Sequence, residues 1–284
     1  MEGLAFTKNV IDQRFKIEIL NPDLELGRIK FALIDFDGTI SVIRQGWENV
    51  MIPLMIEMIC GGKRPTPDIV REVQEYVDYS TGILTIKQME WLAKTVRRYG
   101  MAKPLDPYVY KRIYNERLMR IVNERLKKLR SGELRPDDLM IEGSRMFLKG
   151  LFERKVIMFL VSGTDHQYVL NEAEALQITQ YFRGGVYGAL DRSDAHTKEK
   201  IIRSILQREG LKGNELLVVG DGPVEIRNAK ERGAIALGVA SDEVRRRGLN
   251  KRKRERLIKA GADIIIPDYL EHDRILKFLF NEDS

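Results

Sequence analysis

Apolar residues fall into two patterns along this chain. Short unbroken runs, Phe31-Ala32-Leu33-Ile34, Val156-Ile157-Met158-Phe159-Leu160-Val161 and Leu216-Leu217-Val218-Val219, have the length of strands buried on both faces of a parallel sheet. Ala234 to Val239 and Asp263 to Ile266 are further runs of this kind, the last ended by Pro267 before a terminal helix. Elsewhere apolar residues recur at helical spacing. The clearest case runs from about Pro107 to Arg130, with Tyr110, Ile113, Tyr114, Arg117, Leu118, Ile121 and Leu129 near one face. Similar patterns span Trp47 to Ile59, kinked or restarted at Pro53, then Pro67 to Tyr79, Thr85 to Tyr99, Gly143 to Arg154 and Asp165 to Leu176.

Strands separated by helices predict an α/β fold with a doubly wound, Rossmann-like parallel sheet. Its chemistry belongs beyond the carboxyl ends of the strands, where such sheets bind ligands. The first run ends in Asp35-Phe36-Asp37-Gly38-Thr39, the second in Ser162-Gly163-Thr164-Asp165, and the third in Gly220-Asp221-Gly222-Pro223-Val224-Glu225. Residues two apart on an extended chain project to the same side, so Asp35 and Asp37 are expected to share one cleft. Between the second and third runs, Thr197-Lys198-Glu199-Lys200 opens a helical pattern with Ile201, Ile202, Ile205 and Leu206 as its stripe. Each element has a plain structural reading too: an Asp-Gly turn, a Ser162 helix N-cap, a solvated lysine. Together, two acids, a serine, a lysine and a further acid describe a site for an anion and a divalent metal.

This ordered set resembles the haloacid dehalogenase superfamily of phosphotransferases and hydrolases, across residues 30–42 and 156–240. The resemblance implies Asp35 as nucleophile, Asp37 as acid/base, and Thr39, Ser162, Gly163 and Lys198 as phosphate-binding residues. It also implies a Mg²⁺ site using Asp35, Asp37 through its backbone carbonyl, Asp221 and Glu225. Glu225 departs from the family pattern, which most often has Asp there. Lys198 and Lys200 compete for one role, and the helix start favours Lys198. An acid at Asp37 is usually absent from members that cleave carbon–halogen or carbon–phosphorus bonds, so its presence favours phosphate esters.

Elementary chemistry agrees. A free aspartate has a pKa near ~3.9, so Asp35 is ionised at neutral pH and needs positive charge nearby to approach a phosphoryl group. An oxygen ligand set suits Mg²⁺. One cysteine and three scattered histidines do not make a typical zinc site.

From Asp35 to Ser162 is 127 positions, far more than a simple βαβ unit of ~30 residues needs. The expected division is a core of residues 1–42 and 140–284 with a helical cap of residues 43–139, resembling the lid some members insert after the first motif. That stretch holds 18 Lys and Arg against 13 Asp and Glu, which suits anionic substrates if those charges face the cleft. Arg44, Gln45, Trp47 and the loop around Gly82 are candidates to border the site.

At 284 residues the chain can bury a full core. Cys60 is the lone cysteine, so no intramolecular disulfide is possible and a reducing cytoplasm is the natural compartment. No apolar stretch approaches the ~18 residues of a membrane span. Residues 1–28 receive no role. One segment points to a different class of function: Arg245 to Arg256 carries eight basic residues against Glu255, a run that could contact nucleic-acid phosphates. Interleaved aromatics are missing there, and Leu249, Leu257 and Ile258 suggest an ordinary helix with a basic outer face. The expected activity is therefore a Mg²⁺-dependent phosphatase of a small phosphorylated metabolite, such as a sugar phosphate, a phosphoglycolate-like acid or a nucleoside monophosphate. A phosphomutase of a sugar phosphate is the alternative within enzymes, and a nucleic-acid-binding protein the alternative outside them. A non-catalytic sensor would have no need for Asp37.

Overall fold

In the computed structural model, residues 10–12, 17–190 and 213–282 are described, with residues 200, 203, 204, 207, 208 and 210 between them. The strands among them are β1 (Val10–Asp12), β2 (Ile17–Ile19), β3 (Phe31–Asp35), β4 (Ile157–Asp165), β5 (Gly185–Ala189), β6 (Leu216–Gly220), β7 (Ile235–Val239) and β8 (Ile264–Ile266). They form one sheet in the order β1-β2-β8-β7-β6-β3-β4-β5. The six strands from β8 to β5 pair in parallel, whereas β1 and β2 add an antiparallel edge. This is the expected α/β architecture, a largely parallel sheet with helices.

The strand order explains where a site can form. From β3 the sheet extends to β4 on one side and to β6 on the other, so β3 lies at the topological switch point. Pairing of Asp35 with Val161 and of Ile34 with Val219 brings the ends of β3, β4 and β6 to one level. All five residues of β3 and of β6 are buried. Their side chains alternate between two apolar clusters: Ala32 and Ile34 join one, Phe31 and Leu33 the other.

Between β3 and β4 the chain makes α1 (Glu48–Cys60), α2 (Pro67–Tyr79), α3 (Thr85–Tyr99), α4 (Pro107–Arg130) and then α5 (Ser144–Glu153). Punctuation in the sequence sets these boundaries. Thr66 and Asp106 accept hydrogen bonds from the Ile69 and Tyr108 amides and are followed by Pro67 and Pro107, which supply a preset φ. Left-handed Gly61 and Gly100 close α1 and α3. Apolar faces of this insert, including Met51, Leu54, Leu92 and Leu118, belong to the same cluster as Ala32 and Ile34. Pro53 does not restart α1, which runs through it as one helix.

After β4 come α6 (His166–Ala175), α7 (Pro223–Lys230), α8 (Lys251–Ala260) and α9 (His272–Phe280). β4 continues through Ser162 to Asp165, and α6 starts only at His166, so Ser162 is not a helix cap. An irregularity between Val161 and Asp165 in the pairing with β5 carries the strand past its apolar run. The segment before residue 29, given no role above, supplies β1 and β2. No helix among the described residues is long and apolar enough to cross a membrane.

Candidate active site

Asp35 is the last residue of β3 and is almost fully buried, with its Oδ2 accepting a 3.0 Å hydrogen bond from Thr39 Oγ1. Thr39 thus touches the Asp35 carboxylate and is not part of the cavity wall. Asp37, two residues on, turns toward β4. Its Oδ2 accepts from Ser162 Oγ at 3.0 Å and from Thr164 Oγ1 at 3.1 Å, while its buried Oδ1 has no hydrogen-bond partner and lies 3.9 Å from Arg44 Nε. The Ser162 hydroxyl in turn accepts from the Thr164 amide. Asp35, Asp37, Ser162, Gly163, Asp221, Arg44, Trp47 and Gly82 all line one cavity of about 80 Å³, room for a small molecule in this arrangement.

A metal could sit beside them. One oxygen each from Asp35, Asp221 and Glu225 lies within 4.8 Å of the others, and all three residues are buried. Three carboxylates gathered away from water repel one another, and an all-oxygen donor set relieves that best with a hard cation such as Mg²⁺. Glu225 reaches this group despite its extra methylene. Its side chain fills the space where Gly220 has no Cβ, and its Oε1 accepts a 2.8 Å hydrogen bond from the Gly222 amide. The Asp37 carboxylate is outside this group.

Two ion pairs that the sequence did not suggest frame the site. Arg44 is buried and donates through Nη2 and Nε to both oxygens of Glu172, at 2.6 and 3.1 Å. Burial pushes the Glu172 carboxyl up to about 7 against the pull of that guanidinium, and Glu172 and Asp37 together hold Arg44 firmly charged despite its burial. Glu172 was legible in one respect: it falls on the buried face of α6 with Val169 and Ala173, where a carboxylate needs a partner. On the opposite side, Lys253 Nζ lies 2.7 Å from Asp221 Oδ2 and 2.6 Å from Glu243 Oε1. Burial works against its charge, but the two acids outweigh it and hold the ammonium above the usual lysine range.

Some expected residues lie elsewhere. Gln45 does not reach the central cavity: its Oε1 accepts from Arg125, and it borders a separate groove with Glu48, Asp242 and Lys253. Lys198 lies outside the described residues, and Lys200 is exposed. Thr81, in the loop expected to border the site, reaches the cavity, and so do residues not anticipated, among them Thr85, Gln88, Tyr114, Asn115 and Asp165. Asp165 is paired with Lys111 Nζ at 2.5 Å and accepts from Asn115.

The basic run is not a bare outer face. Arg245 pairs with Asp242, Arg246 and Arg247 face Glu142, Arg252 faces Asp78, Arg254 makes a two-armed contact with Glu18, and Lys253 is internal. Acidic partners thus offset much of the run's positive charge, which weakens the field it offers to nucleic-acid phosphates.

Residues 29–233 match the family model described as haloacid dehalogenase-like hydrolase. No curated protein sequence matches the chain. Solved structures resemble it at low identity. A predicted phosphatase from Clostridium acetobutylicum aligns with TM-score 0.57 and 16% identity over 88% of this chain and 99% of that one. A predicted phosphoglycolate phosphatase from Haemophilus somnus gives 0.54 and 16% over 87% and 98%. A beta-phosphoglucomutase from Clostridium difficile gives 0.53 and 14% over 88% and 98%. At these identities the likeness is one of fold, common to phosphatases and phosphomutases. With its family model covering most of the chain, and with acids at the ends of β3 and β6, the chain belongs to the haloacid dehalogenase-like hydrolases.

Proposed function

We propose that this protein is a Mg²⁺-dependent phosphatase that acts on a small phosphorylated metabolite through an aspartyl-phosphate on Asp35. The observation that carries this reading is the placement of Asp35 and Asp37 on one cavity, next to a buried group of three carboxylates. Asp35, Asp221 and Glu225 would hold the ion, and Mg²⁺ when bound supplies positive charge to the phosphate oxygens. Asp35 attacks phosphorus, and the bond to the ester oxygen breaks. Asp37 gives its proton to that oxygen and later takes one from the water that hydrolyses the acyl phosphate. Ser162 and the Gly163 amide would hold the phosphoryl oxygens, with Lys198 as the proposed third contact. Residues 43–139 would serve as a lid over the core of residues 1–42 and 140–284.

Charge pairing narrows the leaving group. The cationic Arg44 and Lys111 near the cavity are matched by Glu172 and Asp165, so the basic excess of the insert does not leave an unmatched cation there for a second anionic group. What remains on the wall are hydrogen-bonding groups, Thr81, Thr85, Gln88 and Asn115, beside the rings of Trp47 and Tyr114. Such a wall favours a hydroxylated leaving group, as in a sugar phosphate, over a phosphoglycolate-like acid.

The test is phosphate release from a panel of sugar phosphates, nucleoside monophosphates and phosphoglycolate, with Mg²⁺ and with chelator. Sugar phosphates are expected to be the best substrates, and Asp35→Asn to lose activity by about a thousandfold or more. No Mg²⁺-dependent release from any of them, or full activity in Asp35→Asn, would overturn the proposal. An isomerised sugar phosphate without free phosphate would select the mutase instead.

A further inference from the structure

The basic run left unexplained by the chemistry above places one guanidinium where the insert meets the core. Arg256, on the second turn of α8, is only 14% exposed at its side chain. Its Nη1 donates to Asp78 Oδ1 at 3.1 Å and to Thr81 Oγ1 at 3.2 Å, both in the insert, and its Nη2 donates to the Asp221 carbonyl at 3.1 Å, in the core. We propose that Arg256 is a positioning residue that locks the insert loop 80–83 onto the loop carrying Asp221, and so holds the roof of the cavity closed.

Two close backbone approaches show what the lock secures. The Ile83 carbonyl lies where a Cβ on Gly163 would be 2.4 Å away, and the Thr81 carbonyl 3.0 Å from a Cβ on Gly222. Loop 80–83 therefore rests directly on the end of β4 at Gly163 and on the turn after β6 at Gly222, with no side chain between. Backbone laid against glycines fits closely but is held there by little, whereas a buried guanidinium bonded to a carboxylate contributes charge-assisted hydrogen bonds. The planar fork matters as much as the charge. Separate arms of Arg256 reach the insert and the core at once, a geometry a lysine ammonium, with its donors on one atom, does not reproduce. Lys253, one helical turn before it, holds the Asp221 carboxylate. Adjacent turns of α8 thus hold the side chain and the backbone of one proposed metal ligand, and the second of them extends that grip to the insert.

The inference rests on reading residues 43–139 as a lid, and its test needs no turnover, so its failure is distinct from failure of the phosphatase reading. Hydrogen exchange is followed in segment 78–84 and in β3 and β6, for the wild type, Arg256→Ala, Arg256→Lys and Arg254→Ala. Both Arg256 variants are expected to exchange about tenfold or more faster in 78–84, with β3 and β6 unchanged, as loss of charge-assisted bonds at a locally opening segment requires. Arg254→Ala, whose guanidinium faces Glu18, should leave 78–84 as it is. Unchanged protection of 78–84 in Arg256→Ala, rescue by Arg256→Lys, or an equal rise in β3 and β6 would overturn the proposal. Should Arg256→Ala not fold, the double variant Asp78→Ala, Thr81→Val removes both insert-side acceptors and carries the same expectation.

Discussion

The rim formed by β3, β4 and β6 and the insert loop 80–83 face each other across one cavity, yet they are held by different means. On the rim, Asp35, Ser162 and Asp221 stand within two residues of an apolar run, and the pairings of Asp35 with Val161 and Ile34 with Val219 fix their level. Their placement follows from the strands themselves. Loop 80–83 has no ladder of its own. Bonds to Tyr76, Val77 and Gln88 shape it locally, but its seat on the core comes from Gly163, Gly222 and Arg256, all remote in sequence. The proposed catalytic groups are thus set by local sequence and the sheet, whereas the seat of the facing cavity wall is set by contacts between distant residues.

Substitutions on either side sharpen the contrast. Lys253→Met should have the largest effect on stability, because it leaves Asp221 and Glu243 buried without their shared cation. Removal of one partner from a buried ion pair costs about 3–5 kcal/mol, to be read from urea unfolding. Saturating Mg²⁺ should restore part of it, since an ion bound only by the folded state stabilises that state. Gly163→Ala comes next. Its Cβ would meet the Ile83 carbonyl, and overpacking of this kind costs about 1–3 kcal/mol. Exchange in 78–84 should quicken while β3 and β6 keep their protection.

The smallest effect is a pH dependence. Glu172 is raised from its ordinary 4.5 to about 7 by burial, so across that window the folded chain keeps a proton that the unfolded chain has lost. The stability this contributes is full below pH 4.5 and is lost as the pH rises through about 7. Melting temperatures of wild type and Glu172→Gln, compared from pH 5 to 8, should show the wild type losing ground as the pH rises, and parallel curves would contradict the assignment.

Much of the fold was legible because its signals are local. The helices of the insert were bounded by Thr66-Pro67, Asp106-Pro107, Gly61 and Gly100, and β3, β4 and β6 by unbroken apolar runs. β5 was missed because Gly185 and Gly188 weaken its strand signal, so that pairing with β4 decides its conformation. The helix-cap alternative for Ser162 arose because its strand continues beyond the apolar run, sustained by β5. Lys253 was lost inside a run of charges, since the sequence does not show which of eight basic side chains points inward. Gln45 and Arg44 are neighbours in sequence, yet one bonds Arg125 and the other Glu172, a division fixed by the helices that meet them.

The central claim is that Asp35 attacks phosphorus and Asp37 moves the proton. Its most direct test is mass spectrometry of the Asp37→Asn protein quenched in acid after brief exposure to p-nitrophenyl phosphate and Mg²⁺, a substrate whose leaving group needs little help from an acid. With attack intact and hydrolysis slowed, phosphate should accumulate on the peptide carrying Asp35 and be missing when Asp35→Asn is added. A phosphorylated peptide from elsewhere in the chain, or wild-type turnover by the Asp35→Asn protein, would contradict the account.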